Sequence, residues 1–252
     1  MENKEIDKII APHGNQKVTT GQAVKAMIIN GLGMISSPLY LFQKFFEGKA
    51  TEHLLGEGIL PEHLNDDCLG RALDKLYQEG VTKVFVTVAL TAAEKIGVKL
   101  YSLHLDSSSF HVDGEYLATE EIDPEPEKIR IKYGYSRDHR PDLKQFIIDL
   151  MCSGDGDVPL YLRVADGNEA DKSVFPKLIL EFKREWNLET LFVADAALYS
   201  ANNLQQIQSL QWLSRVPATV KETTTLLTLP DELSEHSIID GYLITECGRC
   251  FS

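Results

Sequence analysis

The strongest constraint on the fold is a change in the spacing of apolar residues near Lys99. Up to about residue 95, apolar side chains recur three and four positions apart, as on one face of a helix. After Lys99, short apolar runs alternate with turn residues and with two helical stretches, which is typical of a sheet. The chain is therefore predicted to be α/β, with a small helical N-terminal domain over residues 1–97 and a sheet-containing domain over residues 98–252.

Four helices are predicted in the N-terminal domain, each with a recognisable boundary. The first helix is predicted to start at Thr20 and to stop at Gly31 and Gly33, and the second to start at Ser37-Pro38. The third is predicted to start at Asn65-Asp66-Asp67 and to stop at Gly80, and the fourth to cover residues 82–95. Short helices joined by tight turns suit a small bundle. Two interpretations stay open: the bundle contains a helix-turn-helix that binds DNA, or it packs without contacting a ligand.

The second domain is predicted to follow the order strand, strand, strand, helix, strand, helix, strand. The strands are expected at about residues 99–106, 144–152, 158–164, 191–194 and 211–216, and the helices at about 172–186 and 200–209. This order resembles the ribonuclease H-like arrangement, a mixed sheet flanked by helices. In that topology the first and fourth strands lie side by side.

Asp106 and Asp195 are the most informative side chains of the sheet domain. Each follows an apolar run, at a point where a predicted buried strand is expected to meet solvent. An unpaired charge beside apolar residues is costly, so a carboxylate at such a place indicates ligand binding. The predicted topology brings their strands together, which favours one shared site for a divalent metal. His104 and Ser108 are expected on the face of Asp106, either as donors beside it or, for His104, as a histidine satisfied by backbone.

Two carboxylates on neighbouring strands suit nucleotidyl transfer. Phosphodiester cleavage needs an activated oxygen nucleophile and a stabilised leaving oxygen, and two hard cations about 4 Å apart supply both. Magnesium prefers oxygen ligands and keeps several waters, so a few carboxylates on rigid strands suffice. We expect two Mg²⁺ ions, or Mn²⁺ in their place, with Asp106 bridging both and Asp195 holding one. Most such sites add a third carboxylate, typically from a helix that crosses the sheet.

The charge distribution limits how the chain can contact nucleic acid. A net charge of −13 argues against general adhesion to nucleic acid. A basic stretch begins at Lys128, inside the acidic half and between the two aspartates, and continues through Arg137, His139 and Arg140. This stretch is either a solvated charged face or part of a contact with a ligand.

Several other classes of protein are disfavoured by the sequence. No apolar run reaches the length of about 18 residues that a membrane span needs, and the N-terminus lacks the pattern of a signal peptide, so a cytoplasmic protein is expected. The irregular spacing of Cys68, Cys152, Cys247 and Cys250 indicates reduced thiols. The last two have zinc-ligand spacing, but no second pair accompanies them.

Several blocks of the chain resemble bacterial insertion-sequence transposases of the Asp-Asp-Glu superfamily. Residues 103–116 resemble the first catalytic block of that family, and residues 134–145 resemble a block common between its first and second aspartates. Residues 167–171 and 193–200 are similar to the blocks that lead to and hold the second aspartate. The helical region, including residues 63–73, resembles the domain that precedes the core in one branch of the family.

The resemblance implies roles for individual residues and a partner. Asp106 and Asp195 would be the first two catalytic carboxylates and metal ligands. Three basic residues would lie near the DNA, namely Arg137, His139 and Arg140. Two polar residues, Asn168 and Glu169, would lie near the rim of the active site. The implied partner is double-stranded DNA at the terminal inverted repeats of the element, bound by a homodimer.

The chain also departs from the family pattern, which places a catalytic Glu on a later helix with a Tyr-x-x-Arg pattern. Glu246 has neither a helix nor that pattern around it. We therefore expect a fragment that lacks the third carboxylate and performs little or no strand transfer alone. Two alternatives are a non-catalytic DNA-binding or inhibitory module derived from a transposase, and a ribonuclease H-like repair nuclease, which the specific blocks disfavour.

Overall fold

The structure is a computed structural model that describes residues 3–32, 37–116, 128–135, 139–220, 223, 235–236 and 243–244. The helices are α1 (Asn3–Ile9), α2 (Thr20–Leu32), α3 (Phe42–Phe46), α4 (Thr51–Leu55), α5 (Asp66–Glu79), α6 (Val81–Ile96), α7 (Asp171–Trp186) and α8 (Ala201–Gln206). The strands are β1 (Ser102–Val112), β2 (Lys144–Ser153), β3 (Pro159–Asp166), β4 (Leu191–Ala194), β5 (Gln211–Ser214), β6 (Glu235–His236) and β7 (Leu243–Ile244).

Helices α2 to α5 pack around one apolar core, as the helical spacing of apolar residues predicts. Buried side chains from α2, α3, α4 and α5 form one apolar cluster, which includes Phe42, Phe46 and Leu69. Burying a side chain of this size contributes about 1.5–3 kcal/mol relative to leaving it in water. The cluster therefore supplies much of the driving force that holds these short helices together.

The predicted boundaries of α5 are confirmed, and their physical cause is visible. The Asn65 side chain accepts a hydrogen bond from the Cys68 N–H at 2.9 Å, which satisfies one of the unpaired donors at the start of the helix. Gly80 follows the last turn with a φ of 93°, a backbone conformation that favours glycine. Asn65 and Gly80 thus set the two ends of α5.

The predicted helix start at Ser37-Pro38 is wrong in its details. A short 3-10 turn, Leu39–Leu41, precedes α3, and no side chain caps it. Ser37 is held instead by Asn30: the Ser37 N–H donates to Asn30 Oδ1 and the Asn30 amide donates to the Ser37 carbonyl, each at 2.9 Å. The backbone N–H and carbonyl of Ser37 are therefore both hydrogen-bonded to a side chain of α2.

Five strands form one sheet in the order β3-β2-β1-β4-β5, and β6 pairs with β7 in a separate antiparallel ladder. Strand β4 runs parallel to both β1 and β5. The sheet and its helices confirm the predicted α/β fold class, a ribonuclease H-like mixed sheet after a helical N-terminal region, including the adjacency of the first and fourth strands.

Helix α7 buries one apolar face, and β1 alternates between a buried and an open face. The buried residues of α7 fall at helical spacing and include Phe175, Ile179 and Phe182. In β1, Leu103, Leu105 and Ser107 are buried, whereas His104 and Asp106 between them are exposed. The alternation decides which side chains of β1 reach solvent.

The chain divides into two compact units. One comprises Met1–Lys99 and Ile148–Ala165, and the other comprises Leu100–Ile147 and Asp166–Ser252. The proposed domains over residues 1–97 and 98–252 remain a prediction. Within the described ranges, no helix combines the length and apolar character needed to cross a membrane. Cys68 and Cys152 are free thiols, as expected, whereas Cys247 and Cys250 lie outside the described residues.

Candidate active site

The register of two parallel strands brings Asp106 and Asp195 next to each other. The ladder between β1 and β4 pairs Leu105 with Ala194, and the next residue on each strand is an aspartate. Neighbouring strands lie about 4.8 Å apart, and residues level with each other in a parallel pair point to the same face. The two carboxylates therefore occupy one face of the sheet on adjacent strands.

Both aspartates are exposed, so the expected cost of an unpaired charge beside buried apolar residues does not apply to them. Asp106 lies within β1 rather than where the strand meets solvent, because β1 continues to Val112. Leu105 and Ser107 point into the core, and Asp106 points to the open face between them. Asp195 directly follows β4 and is also exposed. Neither carboxylate is buried, so a desolvation cost does not explain them, and a ligand can reach both from solvent.

Backbone hydrogen bonds hold one oxygen of each carboxylate. Asp106 Oδ1 accepts from the Ser107 N–H, and Asp195 Oδ1 accepts from the Ala197 N–H, both at 2.8 Å. The Ser214 hydroxyl donates to the backbone carbonyl of Asp195 at 2.7 Å, which ties the end of β5 to the end of β4. Among the residues that the structure describes, no donor reaches the Oδ2 atom of either aspartate. Each side chain is thus oriented through one oxygen and keeps the other for a ligand.

His104 and Ser108 share the open face of β1 with Asp106, as strand alternation predicts. The His104 Nε2 atom lies 3.2 Å from the Ser102 hydroxyl. The histidine is therefore paired with a hydroxyl two residues away. The observed contact differs from both expectations, which were a hydrogen bond near Asp106 and a hydrogen bond to the backbone.

A cleft of about 390 Å³ is lined by Ser107 and Ser109, which lie on the other side of β1 from Asp106. Ser107 and Ala197, whose N–H groups hold the two carboxylates, both line it. Asn168 and Glu169, expected at the rim of the site, line the same cleft. The aspartates themselves are not among the lining residues, which also include Ser109, Gly134, Tyr135, Gln145, Ile147 and Ala170.

Close backbone contacts around Gln145 build one wall of this cleft. Its backbone exchanges two hydrogen bonds with Lys132, and its side-chain amide donates to the carbonyls of Gly167 at 2.7 Å and Tyr135 at 3.3 Å. A Cβ atom on Gly134 would lie 1.9 Å from the Gly167 carbonyl oxygen. Glycine is therefore required where these segments cross.

Gln145 was not among the predicted site residues, although the sequence carries a signal for it. The side chain is 2% exposed, at an inward position of β2 between the strand's start and the buried Ile147. A buried amide normally has a specific hydrogen-bonding task. Here that task is to bridge two segments that are distant in sequence, so the partners could not be read from the pattern.

The three predicted DNA-contacting residues are placed differently. Arg137 lies outside the described residues, and His139 is exposed with a φ of 56°. Arg140 is exposed and donates to both oxygens of Asp142, at 2.9 and 2.8 Å. The hydrogen bonds to Asp142 raise the pKa of Arg140, and they lower the pKa of the Asp142 carboxyl. The Arg140 guanidinium therefore already has a carboxylate partner, and the DNA contact stays a prediction.

The donor set of the pair fits a hard divalent cation. Two exposed carboxylates offer oxygen ligands, and the open face leaves room for the waters that Mg²⁺ and Mn²⁺ retain. Throughout the described part of the chain, no group of three or more His, Cys, Asp or Glu side chains is arranged to hold a metal. Glu246 lies outside the described residues. Of the residues expected to hold metal, Asp106 and Asp195 are therefore the two that the structure describes.

Two family descriptions match the sequence. Residues 102–244 match the family described as "Transposase DDE domain", and residues 3–90 match one described as "Domain of unknown function (DUF4277)". No curated protein matches the chain.

Solved structures with detectable similarity include complexes of the Mos1 transposase. The paired-end complex with the left transposon end is 10% identical with a TM-score of 0.31, and the match covers 82% of this chain and 62% of that one. A pre-cleavage Mos1 transpososome is 11% identical with a TM-score of 0.30, covering 87% and 79%. The Mos1 mariner paired end complex with Mn is 11% identical with a TM-score of 0.29, covering 86% and 73%. Similarity at this level carries no argument about residues or function.

The family match spans the part of the chain in which the site is built. It includes β1, β4, both aspartates and the segments that line the cleft. It also extends over more than half of the sequence. The chain therefore belongs to the transposase DDE domain family.

Proposed function

We propose that this protein acts on DNA as a transposase, with Asp106 and Asp195 as its catalytic carboxylates. The observation that carries the proposal is their adjacency: they follow paired residues of neighbouring parallel strands and share one open face. Each also has one oxygen held by a backbone N–H and the other directed to no described donor. Prearranged carboxylates of this kind need little reorganisation to receive a cation.

The proposed task of the two aspartates is to hold divalent metal at the scissile phosphate. Bound Mg²⁺ or Mn²⁺ would supply an activated oxygen nucleophile and stabilisation of the leaving oxygen. Asp106 and Asp195 would contribute negative oxygen ligands through their Oδ2 atoms. The Ser107 and Ala197 N–H groups and the Ser214 hydroxyl would keep the two side chains and their backbone in place.

The proposed partner is double-stranded DNA at the terminal inverted repeats of an insertion sequence, bound by a homodimer. Asn168 and Glu169 would contact the DNA strand from the cleft that they line together with Ser107 and Ala197, the residues whose N–H groups hold the two aspartates. Arg137, His139 and Arg140 would contact the DNA backbone. Such contacts position the strand and leave base recognition to other groups.

A second candidate function is a DNA-binding or inhibitory module with little catalysis of its own. The observation in its favour is that no cluster of three side chains able to hold a metal occurs among the described residues. A site with fewer charged ligands binds Mg²⁺ less tightly. This candidate predicts binding to the ends of the element with little strand transfer by the purified chain, and efficient strand transfer would contradict it.

The DNA that flanks the coding sequence on each side provides the test. Labelled duplexes from both flanks, and shuffled duplexes of equal length, would be incubated with the full chain and Mg²⁺ or Mn²⁺. We expect preferential binding and metal-dependent nicking of the flanking DNA. Nicking should fall on the order of 100-fold or more in Asp106→Asn and in Asp195→Asn, because each removes a group that stabilises the transition state.

The matched control is Asp113→Asn, which removes an exposed carboxylate outside the pair. It should nick DNA at the rate of the unchanged protein. Preferential binding without nicking would favour the module over the enzyme. Equal treatment of flanking and shuffled DNA, without binding preference or nicking, would contradict both candidates.

A further inference from the structure

The helical region contains a second cleft, of about 510 Å³, within the first of the two compact units. It is lined by the segment before α2, by residues between 62 and 65 ahead of α5, and by one face of α5 that reaches Lys75. Three of its side chains are cationic, namely Lys17, Arg71 and Lys75, and Glu62 is the one acidic residue among those lining it. The cleft is therefore locally basic in a chain whose overall charge is −13.

The cations of this cleft are not neutralised by carboxylates. Among the described residues, neither Lys17 nor Arg71 has an ion-pair partner. Lys75 donates to the neutral side chain of Gln16 at 3.3 Å. Burial raises the pKa of the Cys68 thiol in the same cleft, and the charges of Arg71 and Lys75 oppose that rise. Like charges gathered in a concave site create a positive potential that favours an anion.

Local hydrogen bonds also leave the neutral groups of the cleft as donors. The His63 Nδ1 atom accepts from the Leu60 N–H at 3.1 Å, which assigns the proton of a neutral ring to Nε2. The Asn65 Oδ1 atom accepts from the Cys68 N–H at 2.9 Å, which leaves the amide nitrogen to donate. The side chains lining the cleft thus offer N–H groups to a ligand rich in acceptor oxygens.

We propose that this cleft binds the sugar–phosphate backbone of double-stranded DNA, at a contact separate from the Asp106–Asp195 pair. The cations come from both sides of the cleft, and their number exceeds what one phosphate monoanion neutralises. A polyanion with regularly spaced phosphates matches that distribution. The inference rests on the proposed function, which makes DNA the polyanion that this chain meets.

The primary test is the salt dependence of binding to a duplex of arbitrary sequence, measured with the full chain by fluorescence anisotropy. The double variant Lys17→Gln/Arg71→Gln removes two unpaired cations from the cleft. At about 0.1 M salt its affinity should fall on the order of tenfold, and the slope of log K against log salt should fall by about 1.8, since each lost phosphate contact removes about 0.9.

The control is Lys44→Gln/Lys83→Gln, which removes two exposed positive charges from the same helical region outside the cleft. Its slope should stay close to that of the unchanged protein. Equal slopes for the cleft variant and the unchanged protein would overturn the inference. Equal losses in the two double variants would overturn it as well, because they would reflect overall charge alone.

Alkylation of cysteine supplies a second measurement that does not depend on substitutions. Cys68 lines the cleft and Cys152 does not. Bound duplex DNA should slow iodoacetamide labelling of Cys68 severalfold, measured by peptide mass spectrometry at mildly alkaline pH, and leave Cys152 unchanged. Protection by inorganic phosphate but not by DNA would identify a small-anion site and overturn the inference.

The inference and the proposed function fail in different ways. If nicking requires Asp106 and Asp195 while the cleft variant binds DNA as well as the unchanged protein, the inference about the cleft is wrong and the transposase proposal stands. If DNA protects Cys68 but the protein neither nicks DNA nor prefers the flanking DNA, the inference about the cleft stands and the transposase proposal is wrong.

Discussion

Single glycines allow the backbone segments around the active-site cleft to cross. Gly134→Ala would place a Cβ atom 1.9 Å from the Gly167 carbonyl oxygen and 2.4 Å from the Gln145 amide nitrogen. We expect this substitution to lower the free energy of unfolding by about 1–3 kcal/mol, because overpacking forces the backbone to shift. Urea denaturation measures the difference.

Gly70→Ala is the matched control for that substitution. Gly70 lies inside α5, and no atom lies within 4 Å of the Cβ that alanine would add. The control should raise the free energy of unfolding by about 0.5–1 kcal/mol, because alanine favours the helix. A Gly134→Ala protein as stable as the unchanged one would refute the close crossing.

The Arg140–Asp142 pair gives a prediction about pH. Arg140 lowers the pKa of the Asp142 carboxyl below its ordinary value of 3.8. A depressed carboxyl pKa stabilises the fold above that ordinary value, and the stabilisation is lost as pH falls through the depressed pKa. In Arg140→Gln, the Asp142 pKa should return towards its ordinary value in a carbon NMR titration. An unchanged titration of Asp142 would show that the pair does not form in solution.

At the scale of elements, a largely buried ion pair joins β2 to β3. Asp149 on β2 is 2% exposed, and Arg163 on β3 donates to it at 2.7 Å. Removing one partner of such a pair takes away a charge that stabilises the other in its buried position, at a cost of about 3 kcal/mol. Arg163→Met should lower the free energy of unfolding by that amount in urea.

The double variant Asp149→Leu/Arg163→Met separates the loss of packing from the loss of charge. It should recover most of the lost stability, because two apolar groups leave no charge in the buried position. If Arg163→Met alone were neutral, the pair would contribute nothing to the hairpin.

Element type was predictable from the sequence where one local signal dominates. The apolar spacing of α7, the cap at Asn65 and the stop at Gly80 each depend on neighbouring residues, and each is confirmed. The first strand is predicted to end at about residue 106, whereas β1 continues to Val112 through three small polar residues, Ser107 to Ser109. Their alternation between core and solvent depends on the neighbouring elements, which the local pattern does not contain.

The adjacency of the two aspartates was predictable and the cleft lined by Ser107 and Ser109 was not. Element order alone places the first strand beside the fourth, so the pairing of β1 with β4 followed from the topology. The cleft wall depends on a crossing of Gly134 with Gly167 and on the bonds of Gln145. These contacts join residues far apart in the chain, and no periodicity encodes them.

At the scale of the whole molecule, one acidic chain would make two separate contacts with DNA. The carboxylate pair would act on the phosphodiester through metal, and the basic cleft of the helical region would hold the DNA backbone. An overall charge of −13 weakens general adhesion, so binding should depend on these local sites. The salt dependence of DNA binding and the binding preference for flanking DNA test whether these two sites act separately.

The most direct test of the central claim is Mn²⁺ binding to the full chain, followed by electron paramagnetic resonance. Asp106→Asn and Asp195→Asn should each weaken binding at least about tenfold, because each removes one of few charged ligands, while Asp113→Asn should leave it unchanged. Circular dichroism would verify that all three variants remain folded. Mn²⁺ affinity that is the same in the unchanged protein, Asp106→Asn and Asp195→Asn would contradict the claim that the two aspartates form one metal site.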